Sequence, residues 1–329
     1  MSLYVQKFGG SSVANAEKML HAAHIIKDTY EEDNDVIVVL SAQGDTTDRL
    51  LGASREICEE PSLRELDALL STGEQASVSL CAMALHTLGV PAVSLCAWQV
   101  PILTDGEHGG AEISAVGRER VEHELHERRV VLIAGFQGVN ENDDVTTLGR
   151  GGSDLSAVAL SAAFHADRCQ IYTDVAGIYT TDPRICPKAR HLERISYDDM
   201  LLLSQKGAQV LHDKSVALAR RCGVMLEVRS CEEGSGGSFV AARGSGDALT
   251  GVTKKFCERS VLAGVTAVGQ SLPGAEAERA CIEALERQGI TVYGVEEGES
   301  YLTVFVHRDN ADEALCTVHD VLFESRTAS

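Results

Sequence analysis

Basic residues are scarce in this chain. Its 329 residues carry 29 Lys and Arg against 49 Asp and Glu, a formal net charge of −20. Nucleic-acid binding is driven by basic surface, so nucleic acid is excluded as a bulk partner, whereas a local, preorganised phosphate site is not. Long apolar runs are missing: none approaches the ~18 residues of a membrane span, and no membrane partner is expected. The start, MSLYVQKFGG, lacks the basic-then-apolar layout of a signal peptide, which points to the cytoplasm. The ten cysteines form no CxxC pair and no tight cluster. Reduced, mostly buried thiols are the expectation, with neither a disulfide framework nor a zinc site. His123 and His126 lie on a charged helical stretch and make no metal motif. GxxxxGK[ST] and GxGxxG are both absent, which removes the Walker and dinucleotide-binding loops.

Glycine-rich turns after apolar strands are present in their place. Residues 145–154 read VTTLGRGGSD and lead into the helical pattern LSAVALSAAF. Bare N–H groups at a helix start, beside Arg150, suit an anion. Asp154 opposes an anion unless a cation or proton intervenes, an arrangement used in phosphoryl transfer. An ordinary helix start, with Ser153 as N-cap and Asp154 in the first turn, is the competing reading.

The chain before this turn repeats the theme. YVQKFGG is a strand ending in Lys7, Gly9 and Gly10, followed by a helix over 11–33 for which Ser11 or Ser12 is the expected N-cap. The geometry allows Lys7 and backbone N–H groups to hold phosphate; a surface lysine beside a tight turn is the alternative. DVIVVL reads as a buried parallel strand delivering Ser41, Gly44, Thr46 and Thr47. In open α/β sheets ligands bind at such carboxyl ends. Glu74, in STGE, is either a first-turn carboxylate favoured by the helix dipole or a receptor for a ligand's ammonium group. RVVLIAGFQG and DRCQIYTD are further strands, the second ending at Thr173 and Asp174. Residues 206–223 read as a helix.

A Gly/Ser-rich stretch over 232–247 suggests a boundary near Gly244–Asp247. Residues 248–329 then show a βαββα pattern, which a strand around 250–254 or a partner chain would complete. The expected architecture is a catalytic α/β domain over 1–243, a mainly parallel sheet sandwiched by helices, followed by a small α+β domain over 248–329.

Taken together, KFGGSSVANAEK (7–18), SAQGDTTDRLL (41–51), STGEQ (71–75), SLCAWQ (94–99), GFQG (135–138), LGRGGSD (148–154), YTDVAGIYTTDPR (172–184) and GAQVLH (207–212) resemble the aspartate kinases of the amino-acid kinase family. The final segment looks like an ACT domain of βαββαβ type. The resemblance implies ATP-dependent phosphorylation of the L-aspartate β-carboxylate, the first step towards lysine, threonine and methionine. ATP and Mg2+ would be the cofactors, with no direct protein ligand for the metal.

By the motif matches, Lys7 and Asp154 would be catalytic, and Thr47, Glu74, Arg150 and Ser153 would bind aspartate. Lys7, Gly9, Gly10, Ser11, Ser41, Gly151, Gly152, Thr173, Asp174, Tyr179, Arg184 and Gln209 would bind ATP, with Gly9, Gly10 and Ser11 offering backbone N–H groups. A homodimer, formed through the ACT-like domain, is implied. Gln209 stands where the family carries Lys, with Lys206 or Lys214 available to compensate. One ACT-like unit is visible where the family commonly has two. Two other readings fit the same motifs: a related kinase acting on an aspartate analogue, and a catalytically idle amino-acid-sensing subunit.

Overall fold

The computed structural model describes residues 2–231, 236–246, 249–270, 272 and 275–324. They fall into two compact units, Met1–Ala176 with Ala217–Gly237, and Gly177–Val216 with Ser238–Ser329. Compactness therefore groups residues 177–216 and 238–243 with the C-terminal segment, unlike the division near 244–247 suggested by composition; Asp247 lies outside the described residues.

The first unit is built on parallel strands in the order Leu226–Ser230, Arg168–Thr173, Leu3–Phe8, Asp35–Leu40, Val130–Ala134, Ala92–Leu95. Continuous apolar runs such as Val36–Leu40 and Val130–Ala134 are fully buried because both sheet faces are covered. Val36, Val38 and Leu40 pack with Met19, Ala23 and Ile26 of the helix Ala16–Glu31 and with Val78, Cys81 and Leu85 of the helix Thr72–Thr87. The helix Gly152–Phe164 packs against the strands Leu3–Phe8, Asp35–Leu40 and Arg168–Thr173. A second small sheet joins Ile113–Val116, Ile102–Thr104, Gln137–Val139 and Val145–Thr147 in that order. Its strand Ile102–Thr104 pairs antiparallel with Ile113–Val116.

Two caps differ from expectation. The first helix begins at Ala16 with Asn15 as its cap, accepting from the Lys18 N–H, because a 3-10 turn over Gly10–Val13 takes up Ser11 and Ser12. The helix Gly152–Phe164 is capped by Gly151 in left-handed backbone, with no side-chain cap bond, so Ser153 sits inside its first turn.

In the second unit, Arg194–Ser196 pairs in parallel with Ser238–Ala241, and Ile178–Tyr179 pairs antiparallel with His191–Leu192. The 206–223 stretch is helical only over Asp213–Cys222; a separate helix spans Tyr197–Gln205. An antiparallel sheet runs Gly251–Phe256, Leu262–Val268, Tyr301–His307, Val292–Gly298. Gly251–Phe256 is thus the completing strand, supplied by the chain itself. Val265, Ala267, Leu302, Val304 and Val306 form one core with Cys281 and Leu285 of the helix Ala275–Arg287 and Leu315, Val318 and Leu322 of the helix Ala311–Glu324. The pattern is a C-terminal α+β layer pair.

Candidate active site

Four adjacent strands of the first unit end on one side of the sheet. Lys7 lies at the end of the first strand, Ser41 follows Leu40, Gly135 follows Ala134, and Thr173 ends its own strand. A cavity of about 340 Å³ opens there, lined by Lys7, Gly10, Ser41, Ala42, Gly44, Thr47, Glu74, Phe136, Gly149, Arg150, Gly151, Gly152, Ser153 and Asp154. Ten of the expected site residues therefore line one space, although they span residues 7 to 154.

Glycines set the spacing. A Cβ on Gly10 would sit 2.6 Å from the Ala42 carbonyl, and one on Gly73 would sit 2.8 Å from the Ala42 Cβ. Ala42 is thus gripped between two chain segments that only glycine lets approach. That grip places Glu74 Oε1 2.9 Å from the Ala42 N–H, which donates to it. In the 149–152 turn, Gly149 and Gly151 have φ of +72° and +74°, on either side of Arg150. Arg150 is exposed and makes no ion pair with a described residue.

At the same turn Lys7 Nζ lies 2.6 Å from Asp154 Oδ1, each side chain 12% exposed. Asp154 Oδ1 takes part in no aligned hydrogen bond, so its partner is the lysine's charge. The amides of Ser153 and Asp154 find no acceptor among the described residues, whereas Gly152 N–H donates to the Gly149 carbonyl. Two orphan N–H groups, the helix dipole and Lys7 together make the anion-binding end of the cavity.

Glu74 also lines the cavity. It is 3% exposed, and its Oε2 is buried with no hydrogen-bond partner. Burial pushes its carboxyl up to about 7, against the smaller lowering effect of the Ala42 N–H. A buried, half-satisfied carboxylate is costly unless a cation meets it. That favours the ammonium-receptor reading of Glu74 over the helix-dipole reading.

Some expected site residues lie elsewhere. Gly9 and Ser11 do not line the cavity; Gly9 N–H is spent on the Tyr172 carbonyl, and the Ser11 carbonyl accepts from Lys18 Nζ. In this structure the Gly9 amide closes the turn against the neighbouring strand at 3.3 Å. Thr173 donates to Asp174 at 3.1 Å, and neither lines the cavity. Tyr179, Arg184 and Gln209 belong to the second unit. There Tyr179 meets His191 edge-on at 5.3 Å, Arg184 forms a fork on Asp182, and Gln209 is exposed. Lys206, a candidate to compensate for Gln209, is engaged by Glu296 at 3.0 Å.

Sequence reasoning missed Phe136 and Asp67. Phe136 lines the cavity at φ +67°, rare for an aromatic residue. Asp67 is 1% exposed. It accepts from Thr147 N and Oγ1, from Gly109 N, and faces His108 Nδ1 at 2.9 Å. It ties two loops together directly before the Gly149 turn. Nothing in the sequence marks it, because its partners lie 41 to 80 residues away. Asp67→Ala is expected to leave several buried donors unpaired and lower stability by about 3 kcal/mol, measurable by urea unfolding. An unchanged midpoint would show that water replaces the carboxylate.

Comparison with known proteins places the chain in a family. The model of the amino acid kinase family matches residues 2–230. The aspartokinase of Geobacillus stearothermophilus is 50% identical over 240 residues, 73% of this chain and 59% of that protein. The aspartokinase of Mycolicibacterium smegmatis is 45% identical, covering 96% of this chain and 77% of that protein. The chain spans about three fifths of the length of the first of these relatives. Among solved structures, aspartate kinase from Synechocystis aligns with a TM-score of 0.67 and 31% identity over 97% of this chain and 69% of that one. The fold of E. coli aspartokinase III, solved in complex with aspartate and ADP, aligns with a TM-score of 0.83 at 22% identity, over 98% of this chain and 100% of that one. With a family match over residues 2–230 and extended identity to these relatives, the chain belongs to the amino acid kinase family, among its aspartokinases.

Proposed function

We propose that the first unit phosphorylates the β-carboxylate of L-aspartate with ATP, giving 4-phospho-L-aspartate and ADP. One observation carries the reading: a buried carboxylate with an unpartnered oxygen, a guanidinium with no ion-pair partner among the described residues and a lysine–aspartate pair share a single cavity. An amino acid presents a cation and an anion a short distance apart. Glu74 would take the ammonium group and Arg150 the α-carboxylate as a bidentate fork, with Thr47 and Ser153 as hydroxyl partners.

The side-chain carboxylate is already ionised at neutral pH, so it needs no general base. One of its oxygens attacks the γ-phosphorus, the bond to the β-bridging oxygen breaks, and that electron pair leaves with ADP. No proton moves. The barrier comes from bringing two anions together. Lys7, the orphan amides of Ser153 and Asp154 and the close backbone approach at Gly10, Gly151 and Gly152 lower it. Ser41 would face phosphate. Asp154, held by Lys7, would orient that lysine rather than accept a proton.

Magnesium fits this arrangement as a companion of the nucleotide. Asp154 lines the cavity beside Lys7, and a magnesium ion bound with a nucleotide commonly uses one or two carboxylates beside phosphate oxygens and water. When bound it would supply charge neutralisation of the phosphates. Roles in nucleotide binding for Thr173, Asp174, Tyr179, Arg184 and Gln209 rest on the family motif alone. The C-terminal α+β segment is read as an ACT-like module that pairs two chains. Placement in the cytoplasm and in the biosynthesis of the aspartate-derived amino acids rests on the motif resemblance alone and belongs to the same proposal. No helix among the described residues is long and apolar enough to cross a membrane.

The test is an acyl-hydroxamate assay with ATP, magnesium, hydroxylamine and a panel of acidic amino acids. Product with L-aspartate is expected. Product only with another acid would replace the substrate assignment, and none with any acid would support an idle sensing subunit.

A further inference from the structure

Arg150 sits on backbone with little stiffness of its own. It lies between Gly149 and Gly151, both at positive φ, and the helix start that follows has no side-chain cap bond. Glycines leave a turn many conformations, so its position must be set by what packs against it. Two segments do this. Thr147 leads into the turn, and Gly109 lies against it: a Cβ on Gly149 would sit 3.3 Å from the Gly109 carbonyl.

One carboxylate fastens both segments. Asp67 Oδ2 accepts from the Thr147 N–H and the Gly109 N–H, each at 3.0 Å, and Oδ1 accepts from the Thr147 hydroxyl. The Ala111 N–H adds a second tie, donating to the Thr147 carbonyl at 2.9 Å. Main chain connects Asp67 to the other part of the site. Its carbonyl accepts from the Ser71 N–H at 3.1 Å, where the helix Leu63–Leu70 gives way to the helix Thr72–Thr87 that carries Glu74. Asp67 thus belongs to the Glu74 side by backbone and to the Arg150 side by side chain.

We propose that Asp67, completed by His108, is a positioning residue for the acceptor: it fixes Arg150 relative to Glu74. The inference rests on the assignment of Glu74 and Arg150 as receptors for the ammonium and α-carboxylate groups. Covalent geometry fixes the separation of those two charges in an amino acid, so receptors meet both only when their own separation is held. Asp67 is 1% exposed, and a buried carboxylate must find donors for both oxygens. It finds them on the two segments that locate the turn. His108 Nδ1, on a ring 21% exposed, adds a further donor to Oδ2 at 2.9 Å. A carboxylate oxygen only accepts, which puts the ring proton on Nδ1.

The full chain is assayed with L-aspartate, ATP and magnesium, and acceptor and nucleotide KM are measured separately. Asp67→Asn and His108→Leu are each expected to raise acceptor KM about 10–100-fold, as a binding group displaced by about an ångström does, and to leave nucleotide KM unchanged. His108→Asn, which returns an N–H donor near the Nδ1 position, should bring acceptor KM back towards the parent value. In an Arg150→Met background neither Asp67→Asn nor His108→Leu should raise acceptor KM further, because each acts through Arg150. A purely structural role would lower the amount of active protein, and with it kcat, without moving either KM. If Asp67→Asn does not fold, His108→Leu, at the partly exposed ring, carries the same test. An unmoved acceptor KM, equal rises in both KM values, or a further rise in the Arg150→Met background would overturn the positioning role and leave the proposed reaction standing. No turnover of L-aspartate by the parent would overturn both.

Discussion

Lys7→Met is expected to keep its fold and to lose about 10²–10³-fold in kcat, the range found when one preorganised charge-stabilising donor is removed. Lys7 Nζ stands 2.6 Å from Asp154 Oδ1 in a cavity where each is 12% exposed. Methionine keeps the length and apolar stem of lysine, so the packing of the first strand persists. What disappears is the positive charge at the end where two anions must meet. KM for the acceptor should change little, because Glu74 and Arg150 are untouched.

The same substitution strips Asp154 of its partner. That costs about 1–3 kcal/mol of stability, which adding Asp154→Asn should partly restore. Kinetics then separate the two roles. If Lys7 merely steadied Asp154, the double variant would regain activity along with stability. If Lys7 faces the transferring phosphate, stability returns and kcat does not. Single-turnover measurement with saturating nucleotide distinguishes them, and an unchanged kcat in Lys7→Met would remove the lysine from the chemistry.

Glu74→Gln is expected to move stability and binding in opposite directions. Burial raises the Glu74 carboxyl from an ordinary 4.5 to about 7. An acid whose folded pKa is raised favours folding fully below its unfolded value. That contribution is lost as pH rises through the folded one. The window is therefore about pH 4.5 to 7, and the penalty at pH 8 is on the order of 3 kcal/mol. Glutamine carries no charge to bury. The variant should gain up to that amount at pH 8 and match the parent at pH 4, read by denaturant unfolding at both values.

Binding should suffer, since an ammonium group facing an amide in place of a carboxylate loses a charge-assisted contact of about 1.5–3 kcal/mol. Acceptor KM should rise about 10–100-fold. In the parent, acceptor KM should also rise about tenfold for each pH unit below 7, as Glu74 takes up the proton that the ligand's cation must displace. The Glu74→Gln profile should be flat there. An equal loss of nucleotide affinity, or an unaltered KM, would take Glu74 out of the acceptor pocket. The trade of stability for a receptive carboxylate is the pattern expected of a binding site.

Much of the framework was legible in the residue order. Apolar runs such as Val36–Leu40 and Val130–Ala134 have no alternation, and only strands covered on both faces accommodate that. Parallel pairing of Leu3–Phe8 with Asp35–Leu40 brings Lys7 and Ser41 together, whereas the 149–154 turn follows the antiparallel strand Val145–Thr147. Glycines at positions 149 and 151 indicated a turn because they permit left-handed backbone at low cost, and both adopt it. The caps were less legible. Asn15 and Gly151, rather than Ser11 or Ser12 and Ser153, begin their helices, because close packing of neighbouring loops overrides the local preference for a hydroxyl.

Composition and periodicity by themselves determined an acidic α/β protein with a glycine-rich turn ahead of a helix and an α+β segment behind it, since these depend on neighbours within one or two turns of chain. Only the tertiary structure shows the surroundings of Glu74. The pinch of Gly10 and Gly73 on Ala42 buries its carboxylate and leaves one oxygen unpartnered. Only the tertiary structure revealed Asp67 as the tie behind the Gly149 turn, and Cys186 beside His319. Each is an encounter between segments tens to more than a hundred residues apart. Local pattern says which face a side chain takes; topology decides which distant group it meets there, and the chemistry of a site lies in that meeting.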